Sequence, residues 1–207
     1  MEKLYKYPRT PHMPFSETIG SDDKRLNDMN HFLGKQIVIT EKMDGENTTI
    51  YRDYYHARSL DSKHQNYHSW LLSYIRTFQY LIPYTERICG EYLWARHSIE
   101  YNNLENYFEV FSIWNNDLCL DWNTTKEKCI KYNLTIVPEL YIGIYNEDIV
   151  KDIAHKIIKN GGEGIVIRNI DSFSYDEFGR NIAKYVRPNH VQTDKHWTTN
   201  IKKNELK

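Results

Sequence analysis

The sequence predicts a single α+β domain in which antiparallel sheets are flanked by helices. Short β-branched and aromatic runs, each bounded by turn signals, supply the strands. Two stretches with apolar residues at helical spacing supply the main helices. No internal repeat, low-complexity tract or linker divides the chain, and 207 residues are enough to bury one sizeable core.

Residues 1–35 form a polar N-terminal extension in which Pro8, Pro11 and Pro14 favour an extended path and exclude a regular helix. Residues 36–61 read as strands joined by turns: Gln36-Ile37-Val38-Ile39-Thr40, then Thr48-Thr49-Ile50-Tyr51, then a run ending at Asp61. Residues 66–82 place Trp70, Leu71, Tyr74, Ile75, Phe78, Leu81 and Ile82 on one helical face, stopped by Pro83. Two apolar-aromatic strands follow, over 87–94 and 107–114. Asp121 or Thr124 caps a helix running to about Tyr132, and residues 137–145 form a strand. The apolar repeat from Glu147 to Lys159 is a helix ended by Asn160-Gly161-Gly162. Residues 163–169 are a strand, 171–181 a polar loop, and 182–187 a last strand stopped by Pro188. The basic tail 188–207 interleaves Lys195, Lys202, Lys203 and Lys207 with His190, His196 and Trp197, a pattern that suits either an RNA contact or a solvated end.

Composition narrows the function classes. A net charge of −1 gives no global attraction for nucleic acid, so any polyanion must meet a local patch. Seventeen tyrosines and five tryptophans are many for this length, and aromatics stack on bases as well as fill cores. Cys89, Cys119 and Cys129 lack metal-like spacing and are odd in number, which fits buried thiols in a reducing compartment. No apolar run approaches the length of a membrane span, so the expectation is a soluble cytoplasmic protein without a membrane partner. His64 and His68 stand at i, i+4, but no third ligand follows and no zinc site is expected.

The chemistry centres on Glu41-Lys42-Met43-Asp44-Gly45-Glu46-Asn47, a turn between two strands. A lysine whose pKa falls through burial or nearby cations is a covalent nucleophile, and an Asp-Gly turn lets backbone approach a ligand closely. Taken alone, Lys-x-Asp-Gly is more often a charged hairpin tip. Four other segments offer partners. Arg58 can clamp a phosphate, and Glu91 behind Gly90 can accept from ribose hydroxyls. Strand alternation puts Phe111 and Glu109 on one face, where an aromatic can stack on a purine. Glu163, between two glycines, can hold Mg²⁺, while Lys184 and Arg187 can receive an α-phosphate.

In this order the segments resemble the covalent nucleotidyltransferase superfamily of polynucleotide ligases and capping enzymes. Glutamate before the lysine and asparagine five after it are similar to the RNA ligase branch, including the phage nick-sealing and RNA-editing ligases. Tyr7-Pro8-Arg9-Thr10-Pro11-His12 and the run from Lys184 to Asp194 resemble a compact bacterial and phage subgroup.

The resemblance implies an ATP-dependent RNA ligase. Lys42 would attack the ATP α-phosphate and hold AMP, which passes to an RNA 5′-phosphate before a 3′-hydroxyl displaces it. Glu41 would lie at the adenine edge, and Asp44 and Gly45 beside the nucleotide. Arg58 would touch phosphate, Glu91 the ribose, and Phe111 would stack on adenine. Glu163 would organise Mg²⁺ or Mn²⁺, and Lys184 with Arg187 would contact phosphate. Asn47 would serve sealing more than charging.

Three positions depart from the family pattern: Ser112 replaces an aspartate, Arg168 replaces a lysine, and Arg187 follows Lys184 by three rather than two. Too few residues follow Arg187 for the OB-fold or helical domain of many relatives. A monomer is expected, with an end-healing kinase-phosphatase as a candidate partner. The competing readings are a DNA ligase, a GTP-dependent capping guanylyltransferase, and a non-catalytic nucleotide- or RNA-binding module.

Overall fold

The computed structural model describes residues 3–17, 23–61, 65–188 and 201–207. Its organising strand is β1 (Gln36–Glu41), whose Ile37, Val38 and Ile39 are all fully buried. Because side chains alternate along a strand, Ile37 and Ile39 enter one hydrophobic cluster and Val38 enters another. One apolar run thereby contributes to two cores.

The first sheet has the order β11-β9-β1-β8, with β8 (Glu139–Ile144), β9 (Gly164–Asn169) and β11 (Ile182–Val186) all antiparallel to their neighbours. The helix expected over Glu147–Lys159 lies against it, named here α3, with Val150 and Ala154 fully buried. Asn146 caps it, accepting from the Asp148 and Ile149 amides at 3.0 and 3.1 Å.

The second sheet has the order β10-β6-β5-β4-β2-β3, built from β2 (Glu46–Ile50), β3 (Tyr55–Ala57), β4 (Glu86–Tyr92), β5 (Phe108–Asn115), β6 (Leu118–Cys119) and β10 (Phe173–Ser174). It is antiparallel apart from one short parallel pairing between β5 and β7 (Thr135–Ile136). Asp121, rather than Thr124, is the N-cap of α2 (Trp122–Tyr132), its carboxylate accepting from the Thr124 amide at 2.9 Å. Leu71 and Ile75 from α1 (Ser69–Ile75), with Cys129 and Tyr132 from α2, cover this sheet's core.

Three expectations are corrected. The helix expected over 66–82 is only α1 (Ser69–Ile75), with short 3-10 turns at Asn66–His68 and Gln79–Leu81. Thr77 Oγ1 donates to the Tyr74 carbonyl at 2.7 Å, and Phe78 leaves helical geometry to bury its ring. The polar loop 171–181 holds β10, a 3-10 turn and α4 (Phe178–Asn181), because Phe173 and Phe178 anchor it beside Trp114 and Cys119. Of the two readings of the basic tail, the solvated end does not hold for residues 201–207: Asn204 is buried, and Lys203 and Leu206 pair with Ala95 and Leu104. Of the basic tail, residues 189–200 lie outside the described residues.

The three cysteines are free and buried, as expected. His64 lies outside the described residues. His68 is engaged by the Glu46 carboxylate at 2.8 Å and the Gln65 amide at 3.1 Å, and no metal-ligating cluster occurs among the described residues. Among the described residues no helix is long and apolar enough to cross a membrane.

Candidate active site

Lys42 lies on the crossing from β1 in the first sheet to β2 in the second. Its amide donates to the Gly164 carbonyl at 3.0 Å, anchoring the turn to β9, and the Gly45 amide donates to Glu91 Oε1 at 3.1 Å, anchoring it to β4. A Cβ on Gly45 would stand 2.4 Å from the Tyr92 carbonyl oxygen, so only glycine lets the turn lie this close to β4. The Asp44 carboxylate accepts from the Ser98 amide at 2.8 Å, the Ser98 hydroxyl at 2.6 Å and the Ile99 amide at 2.9 Å. Three donors on one carboxylate make Asp44 a tie between the turn and residues 98–99.

The Lys42 ammonium donates to Glu163 Oε2 at 2.7 Å. Burial disfavours its charge, yet Glu163, Glu91 and Asp44 outweigh burial and hold its pKa above the ordinary lysine value. The cations expected to depress it do not win in the ligand-free site. Burial pushes the Glu91 carboxyl up to about 8 against the pull of Lys42, and burial also raises Glu163 and Glu41. Lys184 is shifted down, by burial first and then by Lys42, with Asp23 opposing.

A cavity of 560 Å³ opens over this turn. The structure brings Glu41, Lys42, Gly45, Asn47, Arg58, Glu91, Phe111 and Lys184 to its wall. Asn47, Glu91 and Glu109 are successive register partners across β2, β4 and β5 and therefore share a face. Between Cys89 and Gly90 the β4–β5 register slips so that Phe111 is the unmatched residue, a bulge that aims its ring into the cavity. Asp44, Glu163 and Arg187 do not form its wall. Glu163 reaches it through Lys42, and Arg187 Nη2 donates to the Ser98 hydroxyl at 3.0 Å. Of the departures from the family pattern, Ser112 accepts from Trp114 Nε1 at 3.1 Å, and Arg168 lines the cavity while donating to the Leu120 carbonyl at 2.8 Å.

Residues that sequence reasoning did not place also line the cavity: Tyr7, Arg9, Asp23 and His97. The N-terminal segment reaches it by running along the free edge of β11, where Lys184 donates its amide to Pro11 O at 2.9 Å and accepts from Met13 N at 2.8 Å. Tyr7 then meets Phe111 edge-on at 5.0 Å between ring centroids. Asp23 lies 3.4 Å from Lys184 Nζ and 3.2 Å from buried His12 Nε2. Arg9 is close enough to Arg58 to help burial lower the Arg58 guanidinium. The proline-spaced Tyr7-Pro8-Arg9-Thr10-Pro11-His12 run was the available signal. Asp23, in a plain polar stretch, had none.

The donor set fits a divalent cation that brings most of its own ligands. Glu91 and Glu163 are carboxylates whose buried charge a cation would relieve, while no all-protein cage of three or more ligands exists among the described residues. One or two carboxylates completed by phosphate oxygens and water is the usual magnesium arrangement.

Two largely antiparallel sheets with a partly buried lysine on the strand crossing between them, under a cavity rimmed by arginine and lysine, are the architecture of the nucleotidyltransferases. Within that class the chain belongs to the RNA ligase family, whose family model matches residues 35–186. No curated protein matches the sequence. Among solved structures, an archaeal ATP-dependent RNA ligase superposes with a TM-score of 0.62 at 15% identity, covering 88% of this chain and 48% of that one. A Naegleria gruberi RNA ligase solved with ATP and Mn gives 0.58 at 18% identity, over 76% of this chain and 51% of that one. A protein of Aquifex aeolicus assigned as an ATP-dependent DNA ligase gives 0.59 at 21% identity, over 88% and 50%. At these identities the superpositions establish the fold. The chain spans about half the length of each of these relatives.

Proposed function

We propose that this protein is an ATP-dependent RNA ligase that joins a 5′-phosphate to a 3′-hydroxyl through a covalent lysyl-AMP intermediate. The observation that carries the reading is the Lys42–Glu163 contact of 2.7 Å at the floor of a cavity also lined by Arg58, Glu91, Phe111 and Lys184. An amine beside a buried carboxylate has a place to put one proton, and it faces the cations a phosphate needs.

Lys42 Nζ forms a bond to the α-phosphorus of ATP as the bond to the pyrophosphate oxygen breaks. Of the two protons Lys42 loses between ammonium and phosphoramidate, one passes to Glu163, whose raised pKa suits it as an acceptor, and the other leaves to solvent. Glu41 and Phe111 hold the adenine, Glu91 the ribose hydroxyls, and Lys184 and Arg58 the phosphates. Glu163, with Glu91 nearby, would hold a Mg²⁺ or Mn²⁺, which when bound would neutralise charge on the phosphates. Gly45 admits the nucleotide closely, while Asp44 and Arg187 hold the turn and the 98–99 segment around it. AMP is next transferred from Lys42 to the RNA 5′-phosphate, and the 3′-hydroxyl displaces it with Asn47 at the cavity wall. The work is that of a soluble cytoplasmic monomer, receiving ends prepared by an end-healing kinase-phosphatase.

The test is incubation with α-labelled ATP or GTP and magnesium, followed by denaturing electrophoresis and intact mass, on wild type and Lys42→Ala. An AMP adduct on wild type alone supports the reading, and sealing assays on nicked RNA and nicked DNA then assign the polynucleotide. A GMP adduct points instead to capping chemistry. Absence of any adduct, on protein shown by mass to be uncharged at the start, overturns the reading in favour of a binding module.

A further inference from the structure

Residues 201–207 are seated on the 93–107 segment by specific contacts. Asn204 is 1% exposed, and its side chain satisfies both of its polar ends. Nδ2 donates to the Leu93 carbonyl at 2.8 Å, and Oδ1 accepts from the Tyr101 amide at 3.0 Å. Its backbone is held as firmly: the Asn204 amide donates to Trp94 O at 3.0 Å, and Tyr107 Oη donates to Asn204 O at 2.9 Å. Glu205 N donates to Tyr101 O at 2.8 Å, Arg96 N to Lys202 O at 2.8 Å, and Lys207 N to Leu104 O at 3.0 Å. Lys207 also pairs with Glu105.

Tyr101 therefore has its backbone fixed by Asn204 and Glu205. Its other end meets the nucleophile turn, where the phenol oxygen accepts from the Asp44 amide at 2.9 Å. The same segment delivers Ser98 and Ile99 to the Asp44 carboxylate. One short loop thus stands between the 201–207 segment and the residue two after Lys42, and hydrogen bonds attach it on both sides.

We propose that residues 201–207 act as a clip that positions the nucleophile turn through Tyr101, making Asn204 a positioning residue for the chemistry at Lys42. A solvent-held Asp44 amide would leave the turn free to shift, and a displacement of an ångström at a nucleophile lowers rates by on the order of 100-fold. Asn204 is suited to the task because its amide offers a donor and an acceptor on one rigid plane, matching the Leu93 carbonyl and the Tyr101 amide together. The rate consequence rests on Lys42 being the nucleophile. The mechanical link does not.

The experiment uses the full chain with Asn204→Ala, Tyr101→Phe and the double variant. Tyr101→Phe keeps every backbone contact to 201–207 and removes only the acceptor for the Asp44 amide, so it reports the link even where Asn204→Ala folds poorly. Hydrogen–deuterium exchange on ligand-free protein is the first readout: both single variants exchange faster than wild type over residues 41–47. The second is the single-turnover rate of adduct formation at saturating ATP, which falls on the order of 10-fold in either variant with the ATP KM little changed. The double variant is no slower than the worse single one, because both cut the same link. Unchanged exchange at 41–47 in Tyr101→Phe, or strictly additive rate losses, overturns the clip. A wild type that never forms an adduct overturns the ligase reading instead and leaves the exchange result to judge the clip.

Discussion

Lys42 and Glu163 meet as an ion pair at 2.7 Å, although 121 residues separate them and they belong to different segments of the domain. The contact explains why the candidate nucleophile rests in its protonated form. Glu163 is 2% exposed and cannot pass its charge to solvent, so its field acts on the ammonium nearly undiluted.

Replacing Glu163 by Gln should therefore free the Lys42 amine. The carboxylates raise Lys42, so removing one lowers its pKa and enlarges the neutral fraction at pH 8. Trinitrobenzenesulfonate labelling at pH 8, read by peptide mass, should be several-fold faster at Lys42 in Glu163→Gln than in wild type. Covalent charging with ATP should fall in the same variant, because the carboxylate proposed to accept the proton and hold the metal is gone. Slower labelling would show that Glu163 does not set the Lys42 pKa.

Glu109 gives a stability prediction. Burial pushes its carboxyl up to about 8, and Oε2 has no hydrogen-bond partner among the described residues. A folded-state pKa above the unfolded value contributes stability at low pH that is lost as pH rises through about 8. Glu109→Gln should consequently be stabilising by on the order of a few kcal/mol at pH 8.5 and by much less at pH 5. Urea unfolding at both values decides it: an equal gain at each pH would rule out charge burial as the cause.

Asp23 should matter through Lys184. Burial and Lys42 already lower Lys184, and the Asp23 carboxylate, shared with His12, is what opposes them. Asp23→Asn removes that support, so Lys184 loses its proton at lower pH. The rate of adduct formation should begin its alkaline decline at lower pH than in wild type, with the acid limb unmoved. An unshifted alkaline limb would separate Lys184 from the titration.

Gly164 joins β9 to β11 more closely than any side chain allows. Its φ is +154°, and a Cβ there would stand 2.0 Å from the Tyr185 carbonyl oxygen. Gly164→Ala should cost about 3 kcal/mol and displace β11, carrying Lys184 with it. Thermal unfolding, with charging measured well below the transition, should show both losses. A stable but inactive variant would place the damage at the site alone.

The sequence made the longer strands and α3 legible because each carries one dominant periodicity, β1 as a β-branched run and α3 with Val150 and Ala154 repeating at four, while the two-residue strands β6, β7 and β10 carry none. The cavity wall was legible where a residue sat beside a glycine or within the lysine turn, as Glu91 and Asn47 do. What was hidden depended on tertiary contact. Phe78 leaves the helix for the core, Phe173 and Phe178 fold an otherwise polar stretch, and Asp23 acquires meaning only when Lys184 arrives beside it. The pKa of Lys42 was hidden for the same reason, since its sign depends on which charges lie nearest.

The crossing of β1 into β2 has a mechanical corollary. Glu163 and Lys184 ride on one sheet and Glu91 and Phe111 on the other, and the two meet across a shared apolar cluster that takes Val38 from the first and Ile50, Ile88 and Val110 from the second. A nucleotide bonded to Lys42 would then behave as a rivet between two plates. Small rocking of one plate against the other would change the reach of the amine more than any motion within a plate. Substitutions deep in either core, far from the cavity, become a means of tuning the reaction, and the charged protein should resist shear that the empty one tolerates.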